Sequence, residues 1–208
     1  MARPRGFDDG VVLRAVRDQF WSTGYAATRV DNIATATGLG KGSLYGAFGD
    51  KHQLFLRTFD DYCGGLIEAV RRALDGPDAG AFERLRGHVR AVANAAASDA
   101  CLRGCLLAKG TAELSEQDPA VAATARQTFA TIQELLSSCI AGAQRAGDIK
   151  QQADPTRLAG LLLAVLRGIE ALGKGGSSPD SLRAIAETAL ALLPLPSNAH
   201  GASSAMPS

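Results

Sequence analysis

The sequence predicts an all-α protein: an N-terminal three-helix domain carrying a helix-turn-helix, followed by a larger C-terminal helical domain. Three observations carry that prediction. Apolar residues recur at three- and four-residue intervals along nearly the whole chain, and no stretch shows the alternation of a half-buried strand. Helix-start and helix-stop signals punctuate these stretches. With 208 residues, 46% of them hydrophobic and 21% charged, the chain can bury a real core, which excludes disordered and fibrous classes.

The first helix is expected from about Asp8 to Thr23, with Val12, Leu13, Val16, Phe20 and Trp21 on its apolar face. Residues 28–51, TRVDNIATATGLGKGSLYGAFGDK, then read as two short helices joined by Gly38-Leu39-Gly40. The earlier one runs from Arg29 to Thr37, with Thr28 as N-cap and Asp31 three residues on to meet free amides of the first turn. Gly38 ends it, because glycine tolerates the left-handed backbone that closes many helices. Val30, Ile33 and Ala34 share one face, and Leu44 and Phe48 lie one turn apart on the later helix. Those stripes pack together at the steep angle of a helix-turn-helix.

Once Leu44 and Phe48 are buried, about 100° per residue turns Gly42 and Gly46 outward, with Lys41, Ser43 and Tyr45 on the flanks. A glycine inside a helix costs about 1 kcal/mol relative to alanine, so stability does not account for two on one exposed face. They make the face thin. Such a face brings the backbone close to base edges in a major groove about 12 Å wide, while Lys41, Ser43 and Tyr45 supply donors to bases and phosphates. Lys51, just beyond, is placed for another phosphate.

A fourth helix from Lys51 to about Leu74 carries Leu54, Phe55, Phe59, Tyr62, Leu66, Ile67 and Val70, long enough to leave the first domain and enter the second. Gly76 to Gly80, GPDAG, ends it. Further helices are expected near Ala81 to Ser98, Gly104 to Leu114, Ala120 to Ala146, Thr156 to Leu172 and Asp180 to Leu193. Asp118-Pro119, Asp154-Pro155 and Ser178-Pro179 each set a capping side chain before proline at the first helical position. Gly173 to Ser178 reads as a flexible connection, and the tail from Pro194 has too little to bury to be ordered. The expected division is 6–66 for the helix-turn-helix domain, 67–193 for the second domain and 194–208 for the tail.

The formal net charge is only +1, but residues 1–57 hold eight Lys and Arg against five Asp, and the remainder carries the compensating acidic excess. The positive field lies on the half that carries the helix-turn-helix. The opening MARPRGFDDG has no apolar leader core, and no run approaches the 18 or so apolar residues of a membrane span, so a cytoplasmic location is expected. There Cys63, Cys101, Cys105 and Cys139 need not pair.

With these residues in hand, the stretch closely resembles the DNA-binding domain of the TetR family of transcriptional regulators. The match rests on Phe20, Gly24, Tyr25, Thr28, Ile33, Ala34, Gly38, Leu39, Lys41, Gly42, Leu44, Tyr45, Phe48, Lys51 and Leu54. The resemblance implies that Thr28, Ser43, Tyr45 and Lys51 contact phosphates and that Lys41, Gly42 and the start of the second helix face bases. The candidate DNA-binding set is thus Thr28, Arg29, Gly40, Lys41, Gly42, Ser43, Tyr45, Gly46 and Lys51. Two positions depart from the family pattern: Gly40 stands where Ser or Thr usually caps the recognition helix, and Ala47 where His or Tyr usually touches phosphate.

The same resemblance implies a homodimer through the last two helices, reading a palindromic double-stranded operator, and a small-molecule effector held in the second, regulatory domain. The stripes Leu158, Leu161, Leu162, Val165, Ile169, Leu172 and Leu182, Ile185, Ala186, Ala189, Leu193 serve either that interface or the core. Phe82, Leu85, Val89, Val92, Leu107, Phe129, Ile132 and Leu136 line either an effector cavity or plain core; Thr111, Glu113 and Gln133 are polar candidates beside them. Cys101 and Cys105, flanking Arg103 near a helix start, are redox-sensing candidates because a nearby cation favours thiolate; small buried hydrophobes are the alternative. Arg3 and Arg5 are either a DNA-reaching arm or an inert tail. No enzyme constellation, metal set or cofactor motif is expected. The function implied is an effector-responsive repressor; the alternative is a constitutive or architectural DNA-binding protein whose second domain only dimerises.

Overall fold

The computed structural model describes residues 7–196, and the arm candidates Arg3 and Arg5 and the tail beyond 196 lie outside them. Among the described residues there are nine helices and no strand: α1 (Asp9–Thr23), α2 (Val30–Thr37), α3 (Lys41–Phe48), α4 (Lys51–Leu74), α5 (Ala81–Ser98), α6 (Leu106–Leu114), α7 (Pro119–Arg145), α8 (Pro155–Lys174) and α9 (Pro179–Ala191). Local chemistry sets most boundaries. Asp8, Asp50, Asp118, Asp154 and Ser178 each accept a backbone N–H of the first turn of the helix they precede, and the last three stand before proline as the sequence predicts. Gly38 ends α2 in the left-handed conformation at φ 68°.

Three expectations shift. The N-cap of α2 is Arg29, not Thr28, and it provides no side-chain cap. Helix α6 starts at Leu106 rather than Gly104, because Gly104 at φ 65° and Leu102 at φ 50° are both left-handed and cannot continue a helix backwards. Helix α8 runs on through Gly173 and Lys174, taking the first part of the expected flexible connection.

Two hydrophobic cores meet along α4 and α7. The first gathers Val12, Val16 and Phe20 of α1, Ile33 of α2, Leu44 and Phe48 of α3, and Leu54, Phe55 and Phe59 of α4. It does not stop at the helix-turn-helix: Leu106 and Leu107 of α6 and Val121 and Ala125 of α7 belong to it. Gly110 makes this possible, since a Cβ there would lie 2.6 Å from the Phe59 ring. The second core takes the end of α4 with α5, the rest of α7, α8 and α9.

The predicted stripes of α8 and α9 divide between roles. Leu162, Ile169, Leu182, Ala186 and Leu193 are buried in the second core, while Leu161 and Leu172 remain about half exposed, at 54% and 45%. Ala164 between them and Ala184, Thr188 and Ala191 along α9 are exposed as well.

Candidate nucleic-acid interface

Helix α3 presents the surface that the sequence predicts. Leu44 and Phe48 are 1% exposed, so the rotation of the helix is fixed by its two buried knobs. Lys41, Gly42, Ser43, Tyr45 and Gly46 then face solvent, and Tyr45 is 45% exposed although it is a large aromatic. A Cβ placed at Gly40, Gly42 or Gly46 would meet no atom within 4 Å. These glycines accommodate nothing inside the protein; the space they leave opens outward. Gly40 precedes the helix without a side-chain cap, so the first amides of α3 remain uncapped by a side chain there.

The flanking cations are more constrained. Lys41 Nζ lies 2.6 Å from Asp31 Oδ1, which ties the start of α3 to α2, and the Lys41 ammonium holds the Asp31 carboxyl below its usual range. Both partners are largely exposed, so water screens the pair and Lys41 can exchange Asp31 for a base or phosphate. Lys51 opens α4 with its ammonium 4.4 Å from the centre of the Tyr25 ring. Partial burial there pulls its pKa down, against the nearby Glu113 charge. Arg29 is exposed at the head of α2.

Thr28 requires a correction. It is 1% exposed, and its hydroxyl shares a hydrogen bond with the Thr23 hydroxyl at 2.6 Å and donates to the Gly24 carbonyl. The side chain closes the turn between α1 and α2 instead of facing outward as a cap or phosphate contact. Turn residues with hydroxyls that bond their own backbone do this when packing covers them.

Behind the interface, α6 grips the α1–α2 turn through contacts that the sequence did not reveal. Glu113 accepts from the Tyr25 amide at 2.6 Å, and Lys109 Nζ donates to the Trp21 and Ser22 carbonyls at 2.9 and 3.2 Å. Trp21 Nε1 donates to the Gly104 carbonyl at 2.8 Å. Gly24, at φ 84°, carries the signal: a Cβ there would stand 2.2 Å from Glu113 Oε1 and would push the carboxylate off the Tyr25 amide. A lone buried-face tryptophan also demands a partner for its N–H.

The cysteine pair separates. Cys105 is buried, with Tyr62 Oη at 3.6 Å and Arg167 Nη1 at 3.2 Å, and burial pushes its thiol up, with Glu170 adding to the effect against Arg167. Arg103, the cation expected to favour thiolate, instead stacks on Trp21 at 4.5 Å. The cation beside Cys105 is therefore Arg167 and not Arg103, and burial outweighs it at the thiol; Cys101 is exposed. Of the two readings of the second-domain stripe, effector cavity or plain core, the buried positions take the second. Leu85, Val89, Leu107, Ile132 and Leu136 are at most 1% exposed inside the two cores, and a cleft of about 500 Å³ lies at the seam beside Trp21 with Val92 the one residue in common. Thr111 and Gln133 spend their polar groups on the Leu107 and Thr156 carbonyls.

Comparison with known proteins agrees with this geometry. The family model "Bacterial regulatory proteins, tetR family" matches residues 12–58, and "Tetracyclin repressor-like, C-terminal domain" matches 81–189. The chain is 28% identical to the HTH-type transcriptional repressor ComR of Escherichia coli (strain K12), across 92% of this chain and 91% of that protein. It is 27% identical to the transcriptional regulator AcuR of Cereibacter sphaeroides, across 89% and 87%. Among solved structures, a cysteine mutant of the TetR family regulator CifR, complexed with 26-base-pair double-strand operator DNA, superposes with a TM-score of 0.79 and 29% identity, covering 92% of this chain and all of that one. No helix among the described residues is long and apolar enough to cross a membrane. The matches span both halves of the fold, and α3 lies within the N-terminal one: the chain belongs to the TetR family of bacterial DNA-binding transcriptional regulators.

Proposed function

We propose that the protein is an effector-responsive repressor that binds a palindromic operator as a homodimer in the cytoplasm, with the contact set Arg29, Gly40, Lys41, Gly42, Ser43, Tyr45, Gly46 and Lys51. The observation that carries the reading is the open face of α3, where exposed donors flank glycines with no atom within 4 Å of their missing side chains. Two such helices, one per subunit, enter successive major grooves about 34 Å apart. The Leu161–Ala164–Leu172 surface of α8 and the Ala184–Thr188–Ala191 surface of α9 supply a face where small residues allow close helix approach.

The grip of α6 on the α1–α2 turn favours regulation over constitutive binding. A second domain that only dimerised would have no need to hold the reading head by Glu113 and Lys109. Displacing α6 moves the turn, and the turn carries α2 and α3 with it, changing the spacing of both half-sites together. Sequencing genomic fragments captured by the purified protein tests the reading. A recurrent palindrome is expected; capture indifferent to sequence, or a monomeric mass at micromolar concentration by sedimentation, overturns it.

A further inference from the structure

The seam cleft lies between the reading head and the second domain. Its walls come from Trp21 at the end of α1, Tyr62 of α4, the last turns of α5, the 99–104 loop and the end of α8. Its volume of about 500 Å³ falls in the range of small-molecule sites. The two aromatic rings meet edge to face at 5.1 Å and form its apolar side.

Two carboxylates, Asp99 and Glu170, and two cations, Arg103 and Lys174, line it, and they are not equally well paired. Asp99 is used inside the loop, where its carboxylate accepts the amides of Arg103 and Gly104 at 2.7 and 3.1 Å. Glu170 stands 2.8 Å from the Arg167 guanidinium. Each carboxylate thus faces a group of the protein, although Glu170 Oε2 meets Arg167 without a well-directed hydrogen bond. The two cations are less fully used. Arg103 lies on the Trp21 face with a buried Nε that finds no acceptor, its nearest carboxylate oxygen on Asp99 being 3.9 Å away. Lys174, packed over Gly104 at the rim, has no ion pair among the described residues. A buried donor without an acceptor costs about 1–3 kcal/mol, which an incoming acceptor recovers.

We propose that this cleft binds a small organic carboxylate with a flat apolar body, the anion set between Arg103 and Lys174 and the body against Trp21 and Tyr62. The proposal rests on the effector-responsive reading for its consequence, though not for the binding itself. An occupant that draws Arg103 away from Trp21 also loads the bond from Trp21 to Gly104, which joins α1 to the strand of loop entering α6.

The test uses the full chain without DNA, because Trp21 is its only tryptophan and reports directly from the cleft wall. Benzoate and phenylacetate are titrated against intrinsic fluorescence, with benzamide and phenylacetamide as uncharged matches. The carboxylates are expected to saturate the signal, binding about tenfold or more tighter than the amides. Lys174→Gln, at the exposed rim where folding is not at stake, is expected to erase most of that preference, and Arg103→Gln the rest. Amides that bind as well as acids, no saturation by either acid below about 10 mM, or an acid preference untouched in Lys174→Gln would each overturn the site. Saturation that leaves operator affinity unchanged supports the site and overturns the effector reading.

Discussion

Two glycine-bearing regions of the reading head have opposite surroundings. At Gly42 and Gly46 the missing side chain leaves open space; at Gly24 it leaves room for the Glu113 carboxylate, which fills it. The first region keeps its surface for a molecule outside the chain, and the second for a segment nearly ninety residues further along the same chain. The same residue type thus marks both what the head reads and what holds the head. Substitution at the first should disturb binding and spare the fold, whereas substitution at the second should disturb the fold and the communication between halves.

The largest expected effect follows from the open side. Gly42→Leu or Gly46→Leu should weaken operator binding at least about a hundredfold, roughly 3 kcal/mol, in a mobility-shift titration. Thermal midpoints should hold or rise, because leucine is the better helix former and its Cβ meets open space. Retained affinity in both variants would break the comparison.

On the filled side, Gly24→Ala should cost about 2–3 kcal/mol in urea unfolding, from the φ of 84° and the collision with Glu113. In a Glu113→Ala background the same change should cost only the backbone part, about 1 kcal/mol, a non-additivity that isolates the contact. Equal costs in the two backgrounds would mean that Glu113 does not occupy the space.

The cysteines offer a third contrast of open against filled. Alkylation of the native protein near pH 8 should modify Cys101 at least about tenfold faster than Cys105, read by peptide mass spectrometry, since the Cys105 thiol is buried and pushed up. Matching rates would restore Cys105 as a sensing candidate.

The smallest effect sharpens the border between the two regions, where Lys51 lies over Tyr25. If the ammonium leaves that ring to meet a phosphate, Lys51→Ala should lower the slope of log affinity against log salt by about one. An unchanged slope would assign Lys51 to the filled side, as a clamp on the turn. Lys41→Ala should instead alter base preference, since its bond to Asp31 is exposed and exchangeable.

What the sequence determined by itself is the part of the molecule governed by neighbours within one or two helical turns. The caps at Asp118, Asp154 and Ser178, the stop at Gly38 and the outward face set by burying Leu44 and Phe48 all depend on spacings of two to four residues. Such spacings fix direction as well as identity, so the thin α3 face was legible before any packing was known. Only the tertiary structure decided which way Thr28 turns, where Glu113 and Lys109 reach, that Cys105 is sealed away from Arg103, and that the cleft lies at the seam instead of inside the second core. Thr28 is held by near neighbours, Thr23 and Gly24, once packing covers it; the others depend on partners from 43 to 88 residues apart or on which of several equally apolar stripes is covered. Periodicity shows that a face is apolar, but the neighbour that covers it is selected by the packing of whole helices, and no local spacing encodes that choice.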